Sequence, residues 1–423
     1  MAKEKKLTND QKSMDFKKLA EQVTKIINAT PIADIHTHIY SEVFGDLLLW
    51  GIDELLTYHY LVAELFRYKP DLDYEDYWNM PKQRQAELVW DEIFVKNSPI
   101  SESARGVVTV LNELGLDVSS KDLNKIRRYF AEIPTSQYIN KVFESSNVRY
   151  VIMTNDPFDK KEQVVWNKGG NADSRFKTAL RIDGMLNNFQ QYSKEINNQG
   201  FKITSNKIET GVISAIKNFL KAWIEKINPA YIAASLPPDF NIEDGSDRAK
   251  MILECVLPIA REYNLPFTMM IGVKKLLNPA LRLAGDGVGK ADVDTIAKLA
   301  RDWPDVRFLV TMLSRENQHE LCVTARKFKN LTVFGCWWFL NNPSTIREIT
   351  AERIETLGLT MIPQHSDARV LDQLIYKWSH SRKIIAEVLA EKYFDIASAG
   401  WPVTEADIKR DANRILGGQL LLQ

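Results

Sequence analysis

The sequence predicts an α/β fold: a (β/α)8 TIM-type barrel with a helical insertion after strand 1. Eight strand-like apolar runs recur along the 423 residues, at 33–38, 149–154, 176–182, 231–236, 267–273, 307–313, 331–337 and 359–365. Most lack strict polar alternation, as parallel strands buried on both faces do. Helical patterns lie between most of them, for example at 214–227, 248–263, 293–302 and 317–328. Strands joined by helical crossovers close into a barrel.

Taken in order, residues 1–30 are expected to form a helical lead-in, polar and lysine-rich at its start. No apolar core of a secretory signal follows that start. The barrel is expected over 31–39 and 148–423. Between those parts, 40–147 reads as an aromatic, helix-rich insertion with helices at 53–66, 74–78, 81–94, 104–114 and 119–130. An insertion after a barrel strand lies at the catalytic end, so this one is placed over the active-site mouth. After the eighth run, helices are expected at 370–393 and 404–416. The stretch Gly285-Asp286-Gly287-Val288-Gly289 has no strand leading directly into it and is expected to be a flexible loop rather than a phosphate cradle.

Composition narrows the function classes. Hydrophobic residues make up 45% and charged residues 26%, ordinary for a chain with a large core. Lys plus Arg equals Asp plus Glu at 55 each, so no nucleic-acid partner is expected. No stretch reaches the ~18 apolar residues of a membrane span. Cys255, Cys322 and Cys336 form no CxxC and read as buried free thiols of a reducing compartment, which makes the cytoplasm the expected location.

Barrel chemistry sits at the C-terminal ends of the strands. The first run ends in His36-Thr37-His38, and residues two apart on a strand share a face, so both imidazoles point to one spot. Two neutral imidazoles suit zinc or a similar divalent ion. Asp367 follows the eighth run, which neighbours the first once a barrel closes, and is expected as the third ligand; capping the helix near Val370 is the alternative. Arg369, and Arg181 at the end of the third run, place two guanidiniums near the mouth, suited to a carboxylate or an oxyanion. A surface ion pair is the plainer fate of each. Tyr58-His59-Tyr60 in the insertion offers acid–base and hydroxyl groups, or simple packing. The polar cluster Ser314-Arg315-Glu316-Asn317-Gln318-His319 reads as a site loop, and Trp337-Trp338 as a pocket floor or core packing. No Lys follows the fourth run and no His the fifth, which argues for one metal rather than two. GxSxG, P-loop and GxGxxG fingerprints are lacking where each would belong.

Seven segments resemble the uronate isomerase family of the amidohydrolase superfamily, in its shorter bacterial branch. They are Asp34 to His38, Leu55 to Tyr60, Thr154 to Phe158, Leu180 to Asp183, Thr311 to His319, Phe334 to Trp338 and His365 to Arg369. The resemblance runs from about residue 30 to about 415 and implies an aldose–ketose isomerisation of a hexuronate. D-glucuronate becomes D-fructuronate, and D-galacturonate becomes D-tagaturonate, by proton transfer from C2 to C1 through a cis-enediol. It also implies roles. His36, His38 and Asp367 hold one divalent ion, with zinc the expected one. Asp367 or Tyr60 carries the proton, Arg369 stabilises the enediolate and His59 orients substrate. Arg181 takes the substrate carboxylate, with Arg315, Trp337 and Trp338 lining the pocket. A homo-oligomer is an open expectation. The residues alone leave two other readings: a mononuclear lactonase or deaminase on the same barrel, and a sugar-acid-binding protein.

Overall fold

The computed structural model describes residues 9–205 and 207–422. Residues 1–8 of the expected lead-in lie outside the described residues; Asn9–Ala29 is helical. Seven parallel strands form one curled sheet in chain order: β1 Ile32–Thr37, β2 Val148–Asn155, β3 Phe176–Arg181, β4 Ile232–Leu236, β5 Phe267–Ile271, β6 Phe308–Met312 and β7 Leu331–Val333. Nearly every strand residue is buried, because one sheet face lines the interior and the other carries helices.

The eighth run is the exception. At 359–365 the chain forms one parallel bridge, Ile362 to Phe334, and no regular strand. Pro363 has no N–H to continue a ladder. The next donor on the neighbouring strand, Cys336 N–H, is taken by the Gln364 side chain at 2.8 Å. The ring still closes. Asp367 N–H donates to the His36 carbonyl at 3.2 Å, and His38 N–H to the Ala368 carbonyl at 2.7 Å. The seam of the barrel is therefore the segment that carries Asp367, laid against the strand that carries both histidines.

The ends of β1 and β2 are set by one buried arginine. Arg382, on the long helix Gln373–Ser398, donates to the carbonyls of Ile27, Asn28 and Thr30 ahead of β1, and to those of Ser146 and Asn147 ahead of β2. Asn147 ends the helix Thr135–Ser146 in the left-handed region (φ 48°), which Asn tolerates better than most residues. Its carbonyl then accepts Ile32 N–H at 3.0 Å.

Between β1 and β2 the chain is helical over most of its length. The expected helix at 53–66 is two, Ile52–Leu56 and His59–Tyr68. Thr57 Oγ1 closes the first on the Asp53 carbonyl at 2.7 Å, and Tyr58 is extended (φ −67°, ψ 142°) before the second begins. That break turns Tyr58 and His59 towards the barrel mouth. The segment is tied to the seam: Leu49 bridges Val370, and Asp372 accepts Gly51 N–H at 2.9 Å and the Tyr138 hydroxyl.

The expected flexible loop at 285–289 is instead ordered. Gly287–Val288 pairs antiparallel with Val273–Lys274, and Asp286 holds Lys275 at 2.6 Å. The three cysteines are free and buried. Among the described residues no helix is long and apolar enough to cross a membrane.

Candidate active site

The C-terminal ends of β1–β5 and the closing segment surround an open cleft, the place where barrel enzymes carry their chemistry. His36 and His38 project into it from β1, as their i, i+2 spacing requires. Asp367 meets them from the seam. Its Oδ1 lies 3.8 Å from His36 Nε2 and 3.5 Å from His38 Nε2. Asp367 is held at φ 50°, a conformation that Asp adopts more readily than most residues. It caps nothing: the Gln373 side chain takes the backbone N–H groups of Arg369 and Val370.

Both histidines are oriented from behind. His36 Nδ1 lies 3.0 Å from the Tyr231 hydroxyl, and His38 Nδ1 2.7 Å from the Thr154 hydroxyl. Each hydroxyl donates its own hydrogen to a backbone carbonyl, Tyr231 to Ile35 at 2.7 Å and Thr154 to Thr37 at 3.0 Å. Each therefore accepts from its imidazole, and both rings carry the proton on Nδ1 with the Nε2 lone pair facing the cleft. Burial lowers the pKa of both imidazoles, His36 well below 6.5. Burial pushes the Asp367 carboxyl up, but nearby His38 and Lys377 outweigh it and hold the group below the usual carboxylate range.

These three residues fit a divalent ion. His36 Nε2 and Asp367 Oδ1 are buried without any hydrogen-bond partner, and buried polar atoms seldom stay so. The donor atoms of the set lie within 4.8 Å of one another. Ligand bonds of ~2.1 Å in a tetrahedral site separate neighbouring donors by roughly 3.4 Å, close to the spacings here.

Of the other expected residues, Arg181, Arg369, His59, Trp337 and Trp338 all line the cleft. Arg181 is steered by Asp183, Nε to Oδ2 at 2.7 Å, and Asp183 is in turn fixed by Ser235 N–H at 2.7 Å. The Arg369 guanidinium has no ion pair or hydrogen bond among the described residues. Burial, then the Lys377 charge, lower His59 to about 3, so it is neutral at working pH.

Two expected residues lie outside the cleft lining. Arg315 does not reach the cleft; its side chain is 61% exposed and forks onto Glu348 at 2.7 and 3.0 Å. Its polar neighbours brace the backbone: Asn317 bonds Ala291, and Gln318 bonds the Met312 and Ser314 carbonyls. Tyr60 lies behind His59 and Trp338, in a neighbouring cavity shared with Lys377. Tyr58 is the tyrosine of that motif that lines the cleft.

Sequence reasoning named Tyr58 only as part of its motif, and gave no role of their own to Asp183, Lys275, Thr154 and Tyr231. Asp183 carried a signal, two residues beyond Arg181. Tyr231, at the start of the fourth run, carried none.

No family model matches the chain, and no curated relative does. Solved structures do. A uronate isomerase from Bacillus halodurans C-125 superposes with a TM-score of 0.94 at 51% identity, over 96% of this chain and 97% of that one. A uronate isomerase from Thermotoga maritima gives 0.78 at 13% identity, over 96% and 97% of the two chains. A glucuronate isomerase from Caulobacter crescentus gives 0.76 at 15%, over 100% and 97%. The last two show a shared fold. The first shares half its residues with this chain across almost the whole of both, and by that likeness the chain is an isomerase and belongs to the uronate isomerase family.

Proposed function

We propose that the protein interconverts hexuronate aldoses and ketoses, D-glucuronate with D-fructuronate and D-galacturonate with D-tagaturonate. The observation that supports this most is the company Asp367 keeps: one cleft joins its ionised carboxylate and two neutral imidazoles with two guanidiniums. Arg181 and Arg369 stand on either side of β1 in the ring, so a six-carbon acid has a cation for each end.

In this reading Arg181, steered by Asp183, grips the C6 carboxylate. The Asp367 carboxylate takes the proton from C2 and returns it to C1. Arg369, without an ion pair or side-chain hydrogen bond among the described residues, stabilises the enediolate oxygen as charge develops. Neutral His59 orients substrate hydroxyls. Burial drives the Tyr58 and Tyr60 phenols well above 10, so each keeps its proton and acts as a donor. Trp337 and Trp338 wall the cleft against water. His36, His38 and Asp367 hold one divalent ion, which supplies Lewis-acid polarisation of substrate oxygens when bound. Two nitrogens and a carboxylate suit zinc. Residues 40–147 act as the cover of the mouth, and the chain works in the cytoplasm.

Incubating the protein with D-glucuronate in D₂O tests the reaction. Ketose formation with the transferred hydrogen, or deuterium, at C1 in the NMR spectrum is expected. Opening of an aldonolactone with no ketose from either uronate would replace this reading with a hydrolase.

A further inference from the structure

Ser366, the residue before Asp367, is gripped on both sides by buried charged groups. Asp34 Oδ1 accepts its N–H at 3.1 Å, and Lys377 Nζ donates to its carbonyl at 2.6 Å. Neither side chain touches the cleft. Asp34 lies on β1 two residues before His36, and its other oxygen accepts Trp378 Nε1 at 2.8 Å. Lys377 and Trp378 are consecutive on the helix Gln373–Ser398. One carboxylate and one ammonium thus join three elements: the strand with both histidines, the seam with Asp367, and the helix behind it. Asp34 is fully buried and Lys377 is 3% exposed. A lone ammonium at that depth is costly, and its charge is offset by the nearby carboxylates of Asp367, Asp34 and Glu102.

The carbonyl that Lys377 holds belongs to the peptide that enters Asp367. Rotation of that peptide is what would let Asp367 leave its left-handed φ of 50°. Asn341 Nδ2 also reaches this carbonyl, at 3.4 Å, too far to replace Lys377. We propose that Lys377 is a positioning residue of the site: with Asp34 on the Ser366 N–H, its hold on the Ser366 carbonyl clamps the two peptides that flank Ser366 and so aims the Asp367 carboxylate at His36 and His38. Partners one step behind a metal ligand typically change affinity or turnover by about 10- to 100-fold when lost.

The inference rests on the reading of His36, His38 and Asp367 as a metal site, and the test separates the two. Zinc is titrated calorimetrically into metal-stripped parent and Lys377→Met, with thermal midpoints and kinetics on glucuronate measured in parallel. Zinc affinity about 10- to 100-fold weaker in the variant is expected, with kcat reduced on the same scale, KM changed less than about threefold, and the midpoint of the stripped protein nearly unmoved. A folded variant with zinc affinity and kcat within about twofold of the parent overturns the role of Lys377. A parent that binds no divalent ion overturns the metal reading instead. Lys377→Gln, a shorter polar replacement, is judged by the same two outcomes should the Met variant fail to fold. If neither folds, Lys377 is a folding residue and the positioning role is wrong.

Discussion

The Tyr231 hydroxyl lies 3.0 Å from His36 Nδ1 and gives its own hydrogen to the Ile35 carbonyl. Having no hydrogen left for the ring, it makes His36 the donor on Nδ1 and leaves Nε2 for the cleft. Tyr231→Phe removes that acceptor while filling nearly the same volume. Zinc affinity is expected to fall about 10- to 100-fold, and Thr154→Val should do the same through His38. Calorimetric titration of the stripped proteins decides it. Unchanged affinity in both variants would mean that the hydroxyls do not set the rings.

Arg369 and Arg315 make a matched pair of opposites. Arg369 is exposed to the cleft with no side-chain partner among the described residues, so Arg369→Met should leave the thermal midpoint near the parent's and reduce kcat/KM on glucuronate by roughly 10²-fold or more. Arg315 is spent on a solvent-screened surface pair with Glu348, a kind of contact that contributes little. Steady-state kinetics of Arg315→Ala should match the parent within about twofold, and a large loss there would place the substrate elsewhere.

Metal binding should register as stability. His36 Nε2 and Asp367 Oδ1 have no hydrogen-bond partner among the described residues, and the unfolded chain offers no assembled triad. A divalent ion at a hundredfold excess over its Kd then adds about 2.7 kcal/mol. A scan of thermal midpoints with zinc, manganese and cobalt added to stripped protein reads this directly. No rise with any of the three would contradict the site.

Glu162 gives stability a pH dependence. Burial raises its carboxyl from 4.5 to about 7, despite hydrogen bonds from Asp156 N–H, the Asn155 amide and the Tyr40 hydroxyl. The folded state binds the proton more tightly than the unfolded state. Its contribution is therefore complete below 4.5 and is lost as pH rises through about 7, on the order of 3 kcal/mol in all. Glu162→Gln should flatten this part of the curve, since Asn155 Oδ1 is unpartnered and its amide can turn to accept from the new one. Denaturant melts at pH 5 and pH 8 test it: an equal pH response in parent and variant would clear Glu162 of the effect.

The metal triad was readable in the sequence because each member sits where a strand ends, and strand periodicity alone puts His36 and His38 on one face. Asp367 could be placed beside them because closing a ring makes its last segment the neighbour of its first. What escaped depends on contacts between distant segments. A polar run after a buried strand looks the same whether it faces substrate or, like Asn317 and Gln318, replaces backbone partners. Tyr58 reaches the cleft because the helix breaks at Thr57, and helical spacing gives no warning of that. Lys275 arrives by an antiparallel pair between residues 273–274 and 287–288 that no apolar pattern marks. Lys377 is hidden because its helix is covered on nearly every side, so the usual contrast between a wet and a dry face is missing.

The two hydrogen bonds that close the ring join residues more than three hundred positions apart. A chain emerging from the ribosome makes His36 and His38 more than three hundred residues before Asp367. Until the seam has emerged, the strand with the histidines is paired with β2 on one edge and open on the other. Long-range closures of this kind are slow and leave unpaired edges exposed. Catalytic competence and the loss of that exposed edge then come in the same event, so a chain stalled before the seam is both inert and prone to stick to its neighbours.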